Sequence, residues 1–138
     1  VKDAADLAEV YPTNDNSLAQ GEVVTMDPAM VSGVAPSTKP YDSQAIGIIS
    51  TKPALAIGGT SGESAYGKPV ALSGRVPVKI STENGPIKKG DQLTTSSTPG
   101  MAMKVVKAGA VIAIAMQDYD GPTGGTALAF ITMASAAF

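Results

Sequence analysis

The 138-residue sequence contains no cysteine and no histidine. Without cysteine, disulfide staples, thiolate metal sites and dithiol redox chemistry are excluded. Without histidine, the commonest general base, the commonest zinc ligand and the usual switch near neutral pH go together. Tryptophan is absent as well, and the aromatic set is four Tyr and two Phe. That is thin material for the exposed stacking platforms on which sugar binding usually relies. Charge is sparse, at 16% of residues with a formal net charge of −2. Lys88-Lys89 is the one adjacent basic pair, whereas an electrostatic nucleic-acid binder needs clustered Lys and Arg; no nucleic-acid partner is expected. Long apolar runs are also missing. The longest apolar-rich stretches, 108–116 and 127–138, fall short of the roughly 20 residues of a spanning helix, so no membrane insertion is expected. No signal-peptide pattern opens the chain, and a first residue of Val rather than Met leads us to expect a fragment or processed product.

What is present points to β structure. Hydrophobic residues make up 43%, dominated by Ala, Val, Ile and Met, and small β-branched side chains suit thin sandwiches and barrels. The 15 Gly and 10 Pro are spaced as turn punctuation rather than as a low-complexity tract. Val76, Val78 and Ile80 alternate with Pro77, Lys79 and Ser81, and Met101, Met103 and Val105 with Ala102, Lys104 and Val106. Period two is the mark of a half-buried strand. Further strands are expected at 22–26, 45–50, 70–74, 92–95, 111–116 and 126–132. Asn84-Gly85 is a strong turn signal because both residues accept positive φ. Residues 4–11 form either a short N-terminal helix or an extended lead-in, ended by Pro12, and 58–67 reads as a flexible loop. Segments this short and regular predict one all-β domain over 1–138, a compact sandwich or barrel of mostly antiparallel strands. Two pseudo-repeats are expected within it, at 18–50 and 87–116. Leu18-Ala19-Gln20-Gly21-Glu22-Val23-Val24-Thr25 corresponds to Ile87-Lys88-Lys89-Gly90-Asp91-Gln92-Leu93-Thr94. In each, a Gly supplies a left-handed residue and the following acid bonds backbone N–H groups, launching a strand that pairs with a later apolar one. The 127–138 tail is expected to pack on the core or on a neighbouring subunit.

Candidates for chemistry are few. Asp6 and Glu9 are three apart and would share a helical face; paired carboxylates run acid–base chemistry when their pKa values are pushed apart. Asp118 and Asp120 flank Tyr119 but lack the further acids of a calcium loop, which favours turn capping. Thr94-Thr95-Ser96-Ser97-Thr98 sits in no nucleophile elbow, and a Ser–Lys dyad built on Ser81 or Ser97 has only spacing behind it. Gly58, Gly59 and Gly62 precede no Lys-Ser/Thr pair and form no phosphate loop. Met101 and Met103 alone make a poor soft-metal ligand set. No metal and no cofactor are expected.

Four segments carry a resemblance: Asp6-Leu7-Ala8-Glu9-Val10-Tyr11-Pro12, Gly21-Glu22-Val23-Val24, residues 41–50 and residues 69–78. In order and spacing, from Asp6 to Ile131, the chain resembles a C-terminal β domain of phage tail-fibre and neck-appendage proteins and related bacterial surface fibres. The resemblance implies a homotrimeric structural or assembly domain following an upstream fibre shaft, located in a virion or on a cell surface, with itself as principal partner. It also implies an alternative, because some members self-cleave as intramolecular chaperones through acidic residues. Asp6 and Glu9 match the start of that pattern and are the only catalytic candidates, whereas the Ser–Lys signature of the neighbouring chaperone peptidases is missing. Gly90-Asp91-Gln92-Leu93-Thr94 followed by Val111-Ile112-Ala113-Ile114-Ala115 resembles small phage head-decoration proteins, so a capsid-decoration or ligand-binding β module is a further alternative.

Overall fold

The computed structural model describes residues 5–50, 56–57 and 66–138, with side chains from residues 7–50 and 66–138. Ten strands and no helix occur among them: β1 (Ala5–Thr13), β2 (Val23–Met26), β3 (Val34–Pro36), β4 (Ala45–Ile49), β5 (Ala56–Ile57), β6 (Tyr66–Lys79), β7 (Gln92–Thr95), β8 (Ala102–Lys104), β9 (Gly109–Ala115) and β10 (Thr126–Ala136). The fold is all-β, and every strand pair is antiparallel except the short parallel pair of β1 with β5.

The N-terminal segment takes the extended alternative, and the helical one is corrected. β1 runs antiparallel along β6 from Ala5↔Gly74 to Thr13↔Tyr66. Two turns of isolated helix are marginal in water, whereas a ladder along β6 satisfies the backbone of the whole segment. The run expected at 70–74 and the alternation at 76–80 belong to one strand, β6. Its first half lies between β1 and β4, and its second half pairs with β10. The change of partners falls at Gly74, whose φ is +90°, a conformation that glycine adopts without strain.

Two sheets that share β6 and repeat one strand order result, β3-β2-β4-β6-β1, with β5 added beyond β1, and β8-β7-β9-β10-β6. Neither closes on itself, which makes the architecture a sandwich rather than a barrel. Val23, Ile48 and Ala71 of the first sheet join Leu93, Ala113, Ala115, Ala129 and Ile131 of the second in the main core. A smaller core holds Leu18, Val24, Val34, Ile49 and Val70 on the other side of the first sheet, with Tyr11 of β1 packed against it. The tail expected to pack on the core or on a neighbouring subunit is β10 for most of its length, and it lies inside the second sheet between β6 and β9.

The turns before β2 and β7 make matching bonds. Gly21 and Gly90 have φ of +90° and +95°. Their N–H groups donate to Ile49 O at 3.0 Å and to Ala115 O at 2.8 Å. Glu22 Oε1 accepts from Ala19 N–H at 3.0 Å, and Asp91 Oδ2 from Lys88 N–H at 2.8 Å. Each acid also meets a lysine, Lys79 at 3.0 Å and Lys104 at 3.7 Å.

Three expectations need adjustment. Of Asn84-Gly85 only Gly85 has positive φ, at +96°; Asn84 instead donates its side-chain amide to Lys104 O at 3.0 Å. The Met101–Val105 alternation shrinks to β8, where Ala102 and Met103 are both buried. Residues 58–65 of the expected loop lie outside the described residues, while Tyr66 and Gly67 already open β6.

Candidate functional site

The two acids singled out by spacing lie on β1, so the helical face they would have shared does not form. The side chain of Asp6 lies outside those described. Glu9 lies opposite Val70 and two residues before Tyr11, the spacing at which strand residues share a face. Burial first, and then the Glu9 carboxylate, push the Tyr11 phenol up to about 12.

Ser81 and Ser97 converge on Glu83 rather than on a lysine. Ser81 Oγ donates to Glu83 Oε1 at 2.7 Å and Ser97 Oγ to Oε2 at 2.8 Å. Thr98 Oγ1 reaches Oε1 at 3.2 Å. The cluster ties the turn after β6 to the turn after β7. A carboxylate two residues after a serine was the available signal; proximity of residues 83 and 97 was not. Burial raises the Glu83 pKa, but the hydrogen bonds from Ser81, Ser97 and Thr98 outweigh it and hold the carboxyl below the usual glutamate value. A depressed folded pKa contributes stability above the unfolded value, about 4.3, which is lost as pH falls through the folded one. Wild type is therefore expected to exceed Glu83→Gln in stability at about pH 6 by no more than about 1 kcal/mol, since the group is exposed. The gap should close at about pH 3. Urea unfolding at both pH values checks this, and a gap that persists in acid would show that the charge is not what the hydroxyls hold.

Asp118 and Met103 have structural duties, and Gly58, Gly59 and Gly62 lie outside the described residues. Asp118 Oδ1 accepts from Lys89 N–H at 2.7 Å, capping the turn that precedes β7. Met103 is buried. No group of three or more His, Cys, Asp or Glu residues suited to a metal occurs among the described residues.

Two surface features stand out. The first is a row across the outer face of the second sheet. Cross-strand partners project to one side, and Gln92↔Ile114 and Ile114↔Phe130 form such a row. Phe130 is 45% exposed, with Met116 exposed nearby, its N–H donating to Leu128 O. The same position in the first sheet is the row Val23↔Ile48↔Ala71, which is fully buried in the main core. A row that the first sheet buries, the second leaves uncovered.

The second feature is a cleft of about 680 Å³ beside β2, β3 and β4, walled by Tyr11, Met26, Met30 and Ile46 and reached by Asp42. The loop before β4 that carries Asp42 is firmly held. Tyr41 has φ +55°, and its hydroxyl accepts from Val106 N–H at 3.0 Å and Lys107 N–H at 3.2 Å. Asp42 N–H donates to Thr95 Oγ1 at 2.8 Å.

No protein-family model matches the chain, and no curated protein matches it in sequence. Among solved structures it is similar to the C-terminal fragment of gene product 12 of bacteriophage phi29, with a TM-score of 0.64 and 16% identity. The similarity covers 92% of this chain and 100% of that one. At this identity the fold is what the two share, and it is the fold of a phage protein's C-terminal fragment.

Proposed function

We propose that this chain is a structural, assembly-supporting domain of a phage-fibre-like or surface-fibre protein, virion-associated and following a fibre shaft, that associates with itself as a homotrimer. The likeness to a phage C-terminal fragment along nearly the whole chain carries the reading. The uncovered row around Phe130 supports self-association, because an apolar patch in the middle of a sheet face marks an interaction surface. Covering the exposed half of one phenylalanine is worth about 1 kcal/mol per copy, enough for Phe130 to tune assembly without deciding the fold.

Light scattering at micromolar concentration should return three chain masses for the wild type. Phe130→Lys should shift it toward one chain mass while lowering the stability of the subunit by about 1 kcal/mol, the worth of the half of the ring already covered. A monomeric wild type would overturn the assembly reading. If a longer chain with its native upstream sequence released a fragment, and Glu9→Gln stopped the release, the reading would move to self-processing.

A further inference from the structure

Asp42 is a carboxylate with too few partners. It is 7% exposed, and Oδ1 accepts the Gln44 N–H at 2.9 Å. A carboxylate offers about four acceptor positions, yet among the described residues no donor reaches Oδ2 and no cation comes within ion-pair distance. Oδ2 is not sealed from water, so the protein compensates the charge only in part and a cation entering the cleft can reach it. The side chain is not placed there by a loose loop, since Tyr41 and Thr95 anchor the backbone on either side of it. Thr95 Oγ1 in turn donates to Lys39 O at 2.7 Å.

The surroundings say what would complete the pairing. Asp42 lines the cleft walled by Met26, Met30, Ile46 and Tyr11. Methionine walls adapt to apolar bodies of varied shape, and about 680 Å³ falls within the roughly 300–1,000 Å³ of small-molecule sites. Among the described residues, the charged ones lining it are Asp27 and Asp42 against Lys39, one negative charge in excess. We propose that this cleft binds a small organic monocation, an ammonium carried on an apolar body, with the cation against Asp42 and the body between Met26, Met30 and Ile46. The site shares no residue with the Phe130 row and stands or falls apart from self-association. Asp42 also borders a smaller cleft of about 280 Å³ beside Val111 and Met133, from which the test must be distinguished.

The probes are 2-phenylethylamine and its neutral counterpart 2-phenylethanol, titrated separately into the ¹⁵N-labelled chain and followed by amide shifts. The amine is expected to give saturable shifts at Gly33, Gln44 and Ile46, which line the larger cleft and not the smaller, and to bind at least tenfold more tightly than the alcohol. Asp42→Asn keeps an acceptor for Gln44 N–H and should erase that preference. Met30→Trp, which fills the larger cleft and leaves the smaller one untouched, should abolish binding of both probes. Equal affinity for amine and alcohol, a preference that survives Asp42→Asn, or binding that survives Met30→Trp would each overturn the site.

Discussion

Gly47→Ala is expected to destabilise the fold by at least about 3 kcal/mol, the upper end of what overpacking costs. Gly47 lies in β4 with no unusual φ, so conformational freedom is not the issue. Space is. A Cβ there would sit 2.3 Å from Ala71 O and 2.7 Å from Val70 Cγ1. The carbonyl belongs to β6, held by β1 on one side and β4 on the other, and cannot retreat without opening a ladder. For a chain of this size the loss corresponds to a fall in melting temperature of roughly 10 °C. Gly85→Ala is the control: its φ of +96° brings strain, but nothing lies within 4 Å of the added Cβ. That change should cost about 1–2 kcal/mol. Urea denaturation of both variants decides the matter, and a Gly47→Ala loss below that of Gly85→Ala would mean that β6 is not rigid.

Ile48→Ala and Ile114→Ala remove the same atoms from matching places in the two sheets, yet they should behave differently. Ile48 is fully buried in the main core between Val23 and Ala71. Its truncation should cost about 2–5 kcal/mol through lost burial and the cavity left behind. Ile114 stands between Gln92 and Phe130 on the outer face, where water or a partner can fill the gap. There the loss of subunit stability should stay below about 1.5 kcal/mol, and the larger effect should fall on association. Unfolding must be followed at a concentration low enough to keep the chain monomeric, since assembly adds apparent stability. Equal losses at the two positions would show that the outer row is already covered within one chain.

Much of the local structure is legible in the residues. Period two at Val76, Val78 and Ile80 marks the second half of β6, and the Gly-acid pairs Gly21-Glu22 and Gly90-Asp91 mark two turns that launch β2 and β7. These signals are readable because they depend on neighbours in sequence: alternation follows the pleat, and an acid after a left-handed glycine can reach its own turn. The three residues of β3 and the two of β5 carry no such signal, being too short to show a period. β1 was open to helix or strand because its residues favour neither, and pairing with β6, more than fifty residues away, settled it. The Glu83 cluster escaped for the same reason, since nothing local brings residue 97 to residue 83.

Composition and patterning alone determined that this is an all-β chain without thiol or imidazole chemistry, because absent side chains cannot be supplied by folding and periodicity is a property of the string. Only the tertiary structure decided which of two matching rows is covered. Val23, Ile48 and Ala71 meet the opposing sheet, while Gln92, Ile114 and Phe130 face outward, and burial depends on what stands opposite rather than on the residues themselves. The same holds for Asp42. In the sequence it is one acid among twelve, and it becomes a buried carboxylate at an apolar cleft only once Tyr41 and Thr95 have pinned its loop against the second sheet.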